Sequence, residues 1–135
     1  MRKQSGQAAI IGITTLAVVG LIIATAIAAM ALSEYKMTDE AAKGNEVFAA
    51  TEAKVSDNLM RIKKDPTWPA GPLPYTETDS DYLNQVAVET TISETVSGLE
   101  IDVVGTKAAV TRNIRAVIYT DTGQVDVFEI EPGVL

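Results

Sequence analysis

The 135-residue chain contains no cysteine and no histidine. Without cysteine there is no disulfide, no thiol nucleophile and no cysteine-based zinc site. Without histidine the usual neutral-pH proton shuttle is missing. Aromatic residues make up 5% of the chain, so a core must be built from Val, Ile, Leu and Ala. Positive charge is scarce: the formal net charge is -7. It is also unevenly placed. Arg2 and Lys3 stand before the first apolar run, and Arg61, Lys63 and Lys64 cluster near the middle. From Tyr82 onward Lys107, Arg112 and Arg115 face eight acidic residues. Such a surface repels phosphate backbones, so no nucleic-acid partner is expected. Proline is absent before Pro66, which leaves nothing to break a helix over that length.

Recognisable reaction chemistry is missing as well. There is no phosphate-binding loop, dinucleotide fingerprint, nucleophile elbow or His-Glu-x-x-His pattern. The acidic stretch Glu77, Asp79, Asp81 has neither the glycine nor the distal glutamate of a calcium loop, and reads as a solvated loop. The chain is therefore expected to be no enzyme, with no cofactor and no metal.

What is present begins at the N-terminus. Ala8–Ser33 carries no charge and spans about 39 Å as a helix, against the roughly twenty apolar residues a bilayer core requires. A secretory h-region is shorter. Arg2 and Lys3 before the run and Glu34 after it predict an N-terminus in the cytoplasm and the remainder outside. Small residues along it, Ala17, Gly20, Ala24, Ala28 and Ala31, would let like helices approach closely.

The helix is not expected to stop at the membrane. Met37, Ala41, Phe48, Val55, Leu59 and Ile62 recur at spacings of three, four or seven, with charges opposite. Arg61, Lys63 and Lys64 suit a helix C-terminus, and Asp65-Pro66 ends it. Residues 66–82, rich in proline and turn formers, read as a loop held down by Trp68 and Tyr75. From 83 to 135 the pattern alternates. Val86, Val88, Ile92 and Val96 share one face of a strand. Leu99, Ile101 and Val103 follow, then Val110, Ile114, Ala116 and Ile118, then a last strand over QVDVFEI. Turns are expected at Ser97-Gly98, Gly105–Lys107 and Asp121–Gly123. The class is α+β: a long helix packed on an antiparallel sheet of about four strands. Phe48, Val55, Leu59 and Ile62 are expected to bury against Val86, Val88, Ile101, Val103, Ile114 or Ile118.

An apolar helix that runs into an amphipathic one, packed on a C-terminal antiparallel sheet, resembles a type IV pilin. KQSGQAAII resembles the short basic leader of prepilins. The resemblance implies a leader over 1–6, cleaved between Gly6 and Gln7 by a prepilin peptidase, and an assembly helix over 7–33 continued by 34–65. Gly20 then falls where pilin helices often loosen inside the filament. EVFAATEAKVSDNLMRIKKDPTWP resembles a segment of PilX-like and related minor pilins, through Ala49, Ala50, Glu52, Ala53, Leu59, Arg61, Lys64, Asp65, Pro66 and Trp68. SGQAA is also similar to the pseudopilins of tight-adherence systems. Most major pilins carry glutamate as the fifth mature residue; here that position is Ile11, which favours a minor or non-standard subunit. The implied function is a structural subunit of a surface filament. It would be held in the cytoplasmic membrane before assembly and would then pack against copies of itself or other pilins. Two alternatives stay open: a pseudopilin of a secretion machine, and a single-pass membrane-anchored extracytoplasmic binding domain.

Overall fold

The computed structural model describes residues 3–130, with residues 3–9 as backbone only. Helix α1 (Lys3–Lys64) is followed by strands β1 (Tyr75–Leu83), β2 (Val86–Thr95), β3 (Gly98–Lys107), β4 (Val110–Tyr119) and β5 (Val125–Ile130). The class is α+β. The strands form one antiparallel meander in the order β1-β2-β3-β4-β5, five strands where about four were expected. The chain divides into two compact units, Met1–Asp39 and Glu40–Leu135.

The first unit is the apolar part of α1. In the second unit the rest of α1 covers one face of the sheet. Helix residues Val47, Ala50 and Val55 pack with Val86, Val88 and Ile92 of β2, Ile101 and Val103 of β3, and Ile114 and Ala116 of β4. The register places Ile92 beside Ile101, Ile101 beside Ala116, and Val103 beside Ile114, so the inward residues form continuous rows across the sheet.

Several expectations shift. Loop 66–82 is shorter than predicted, because strand β1 begins at Tyr75, directly after Pro74, the last proline of that loop. The predicted turn at Gly105–Lys107 is strand. The chain turns instead at Ala108-Ala109, with Ala108 at φ 53°. Gly105 is needed for close packing. A Cβ there would collide with Thr51 Oγ1 and crowd Val47, so glycine lets the helix lie close on β3. Val96 does not share the buried face of β2; it is fully exposed in the Val96-Ser97 turn, and Thr90 completes that face. Gly98 ends this turn at φ 151°, where a side chain would overlap the Ile118 carbonyl. Asn84 and Gln85, both at positive φ, make the two-residue turn between β1 and β2 that suits the twist of a hairpin.

The predicted apolar stripe of the helix is rotated. Phe48 is 37% exposed and stands outside the core, and Met37 and Ala41 are exposed. Gly44, Val47, Ala50, Thr51, Lys54, Val55 and Asn58 are the buried helix positions. Three of these are polar or charged, so a search for apolar residues alone sets the stripe too far to one side. Val55 belongs to the core, and Leu59 and Ile62 are half-buried against it.

The helix ends as its sequence directs. The Asp65 amide donates to the Arg61 carbonyl at 2.8 Å. Asp65 Oδ1 accepts from the Thr67 hydroxyl at 2.6 Å and the Thr67 amide at 3.0 Å. These bonds, the hydroxyl first, hold the Asp65 carboxyl below its ordinary pKa. Trp68 then meets Tyr75 edge to face at 5.7 Å and lies under the Arg61 guanidinium at 5.5 Å, which fixes the loop at both ends.

Candidate functional site

The largest feature with no function inside the fold is the apolar surface of the first unit. From Ile10 to Leu32 every described side chain is exposed. Ile11 is 65% exposed, and Ala17, Gly20, Ala24, Ala28 and Ala31 are exposed with it. Space around Gly20 is open. The threonines in the run do not interrupt its apolar character. Thr14 and Thr25 each donate to carbonyls three and four residues back, and Thr15 to the Ile11 carbonyl at 2.8 Å. A hydroxyl satisfied by its own helix presents mainly its methyl group to the surroundings. By length and composition α1 can cross a membrane, and none of its apolar window is buried inside the molecule. Gly6 and Gln7, the expected cleavage residues, lie outside the residues described in full.

A second feature is the polar seam between α1 and β1. Lys54 is 2% exposed, and its ammonium lies 3.4 Å from Glu77 Oε1 and 4.9 Å from the centre of the Tyr82 ring. Arg61 Nη1 approaches the other Glu77 oxygen at 3.7 Å, and Arg61 also pairs with Asp57 at 3.0 Å. Beside them the Asn58 amide donates to Thr90 Oγ1 at 3.4 Å. Burial, and then the charge of Asp57, push the Tyr82 hydroxyl above its ordinary pKa. The acidic stretch read as a loop thus belongs to a strand. Glu77 opposes Thr90 and Asp79 opposes Val88, so both carboxylates sit on the helix side of the sheet, where Glu77 receives the buried lysine. The arrangement neutralises a buried cation and joins an edge strand to the helix. Among the described residues no group of three His, Cys, Asp or Glu side chains is placed to hold a metal ion.

On the open face of the sheet Arg115 grips Asp102 with two bonds, 2.7 and 3.0 Å long, and reaches Glu100 at 3.3 Å. Partial burial lifts the Glu100 carboxyl above its ordinary pKa; Asp102 adds to the lift and Arg115 opposes it. Cross-strand pairing of this kind secures β3 against β4. Lys107 similarly bonds Glu46 of the helix and the Asn84 carbonyl. These pairs are structural ties within the sheet unit.

The helix positions that sequence reasoning missed are Gly44, Val47, Ala50, Thr51, Lys54 and Asn58. Their spacing of three and four was visible, but Lys54 and Asn58 fit a buried stripe only once Glu77 and Thr90 are known to face them. Comparison with family models, with curated proteins and with solved structures finds no match.

Proposed function

We propose that the chain is a structural subunit of a type IV pilus-like filament, which assembles by bundling the apolar part of α1 with the same part of other copies. The observation that supports this most strongly is the contrast along one helix. Its first part exposes every apolar side chain, while its second part is a core element of a folded sheet domain. In a bilayer the first part is satisfied by lipid. Outside it, only like helices bury such a surface, at about 25 cal/mol gained per Å² before ordering costs. Small residues at Ala17, Gly20, Ala24, Ala28 and Ala31 permit the close approach that bundling demands. Ile11 brings no carboxylate into that bundle, so no buried charge needs a partner there.

In this reading the subunit waits in the cytoplasmic membrane with its N-terminus inside and its sheet outside. A prepilin peptidase cuts between Gly6 and Gln7, and the filament then draws the helix out of the bilayer. The side chains serve packing and assembly rather than catalysis. Mass spectrometry of the assembled protein tests this: the predicted mature chain starts at Gln7, and an intact Met1 would contradict the proposal in favour of a permanent anchor. Electron microscopy of sheared cell surfaces separates long filaments from the short assemblies of a secretion machine.

A further inference from the structure

Two patches on the sheet unit have no function inside their own molecule, and they are complementary. The first is the free edge strand β5. Among the described residues its outer edge pairs with no strand, and it exposes apolar side chains on both faces: Val125 and Val127 (54% exposed) on the helix side, Phe128 on the other. Asp126, on the Phe128 face, has no cation within ion-pair distance among the described residues; its carboxylate accepts from Gln124 at 2.9 Å. The opposite edge, β1, is built differently. Its exposed positions are Thr76, Thr78, Ser80, Asp81 and, at its end, Leu83, so apolar exposure is confined to one residue, and its pairing is irregular between Asp79 and Leu83, both features that discourage association.

The second patch is the outward side of the end of α1. Met60 is 68% exposed there, beside Lys63 and Lys64. On a chain of net charge -7, cations are normally claimed by neighbouring carboxylates. Lys54, Arg61, Lys107, Arg112 and Arg115 are all paired in this way. Among the described residues Lys36, Lys63 and Lys64 have no carboxylate within ion-pair distance, and of these Lys63 and Lys64 belong to the sheet unit and lie beside Met60.

We infer that the β5 edge of one copy docks on the Met60–Lys63–Lys64 end of α1 in a second copy, apolar surface against Met60 and Asp126 against the lysines. Charge selects this occupant. Two β5 edges brought together would oppose the Asp126 carboxylates of both copies, Glu129 being already paired with Arg112, whereas the helix end supplies the missing positive charge. Because the two patches differ, the contact is head-to-tail. It repeats from copy to copy, which builds an open filament wherever the rotation between copies does not close into a ring. The inference rests on the filament reading for what brings copies side by side; the contact itself is defined by the two patches.

The absence of cysteine makes the contact directly testable. In the full-length chain, in its own membrane, Met60→Cys and Val127→Cys are introduced together and mildly oxidised. A disulfide requires Cβ atoms about 3.5–4.5 Å apart. The expected result is a ladder of dimer, trimer and higher species, with no ladder from either single variant. Adding Lys63→Glu and Lys64→Glu should weaken the ladder about tenfold or more, and Asp126→Lys in that background should restore it. The inference is overturned by no ladder, by a dimer from Val127→Cys alone, by a ladder indifferent to the charge reversal, or by failure of Asp126→Lys to restore it. Microscopy of the same cells keeps the two claims apart: filaments without a ladder sink only this contact, a ladder without filaments sinks only the filament reading, and absence of both sinks both.

Discussion

Lys54 shows how a single residue can mislead a sequence reading and still be essential to the fold. A lysine within a helical stripe reads as solvent-facing, yet here it is buried, with Glu77 and the Tyr82 ring enclosing its ammonium. A buried pair of this kind contributes little beyond what well-packed apolar residues would, but breaking it from one side leaves a charge without compensation. Glu77→Gln is therefore predicted to cost about 1–3 kcal/mol, the usual penalty being reduced because Glu77 retains some exposure. Lys54→Met, which removes the charge and keeps the stem, should stay within about 1 kcal/mol of wild type. Urea unfolding of the two variants checks the order; a larger loss for Lys54→Met than for Glu77→Gln would show that the lysine itself is the stabilising partner.

At the scale of elements, much was legible. The absence of proline before Pro66 indicated one long helix, and α1 ends at Lys64, beside the predicted Asp65-Pro66 stop. Alternation located β2 through β4, because each has a wet face and a dry face; β5 alternates in sequence although neither of its faces is buried. Strand β1 stayed hidden for a physical reason: of its inward positions Tyr75, Glu77 and Asp79, two are carboxylates, and Glu77 meets Lys54 and Arg61 where an apolar residue would be expected. The turn assigned to Gly105–Lys107 failed similarly. Glycine marks a turn by default, but Gly105 serves close helix-sheet approach, and the turn falls on two alanines. The rotated stripe gives a prediction at this scale. Ile101→Ala, which empties a fully buried site in the middle strand, should destabilise by about 2–5 kcal/mol. Phe48→Ala should cost less than about 1 kcal/mol, because its side chain is outside the core. Thermal or urea unfolding in the same detergent decides; equal losses would place Phe48 in the core after all.

For the whole molecule, the division of roles follows from where apolar surface is covered. The sheet unit hides most of its own in a helix-sheet core, leaving the β5 edge and Met60 exposed, and ties its elements with ion pairs. The first unit hides none of its described apolar side chains. The candidate assembly surface was therefore legible in the sequence as an uninterrupted uncharged run, whereas the β5 edge and the helix end were not. Their significance depends on which cations the fold pairs and which strand it leaves at an edge. The central claim is that the apolar part of α1 becomes the shared core of a polymer. Ala24→Lys places a charge in the middle of that run, where a bundle of like helices offers no partner. The most direct measurement is the amount of filament sheared from cells making Ala24→Lys, relative to wild type, at equal levels of protease-resistant sheet unit. Bundling predicts that filaments are lost while the sheet unit remains folded; filaments at the wild-type level would contradict it.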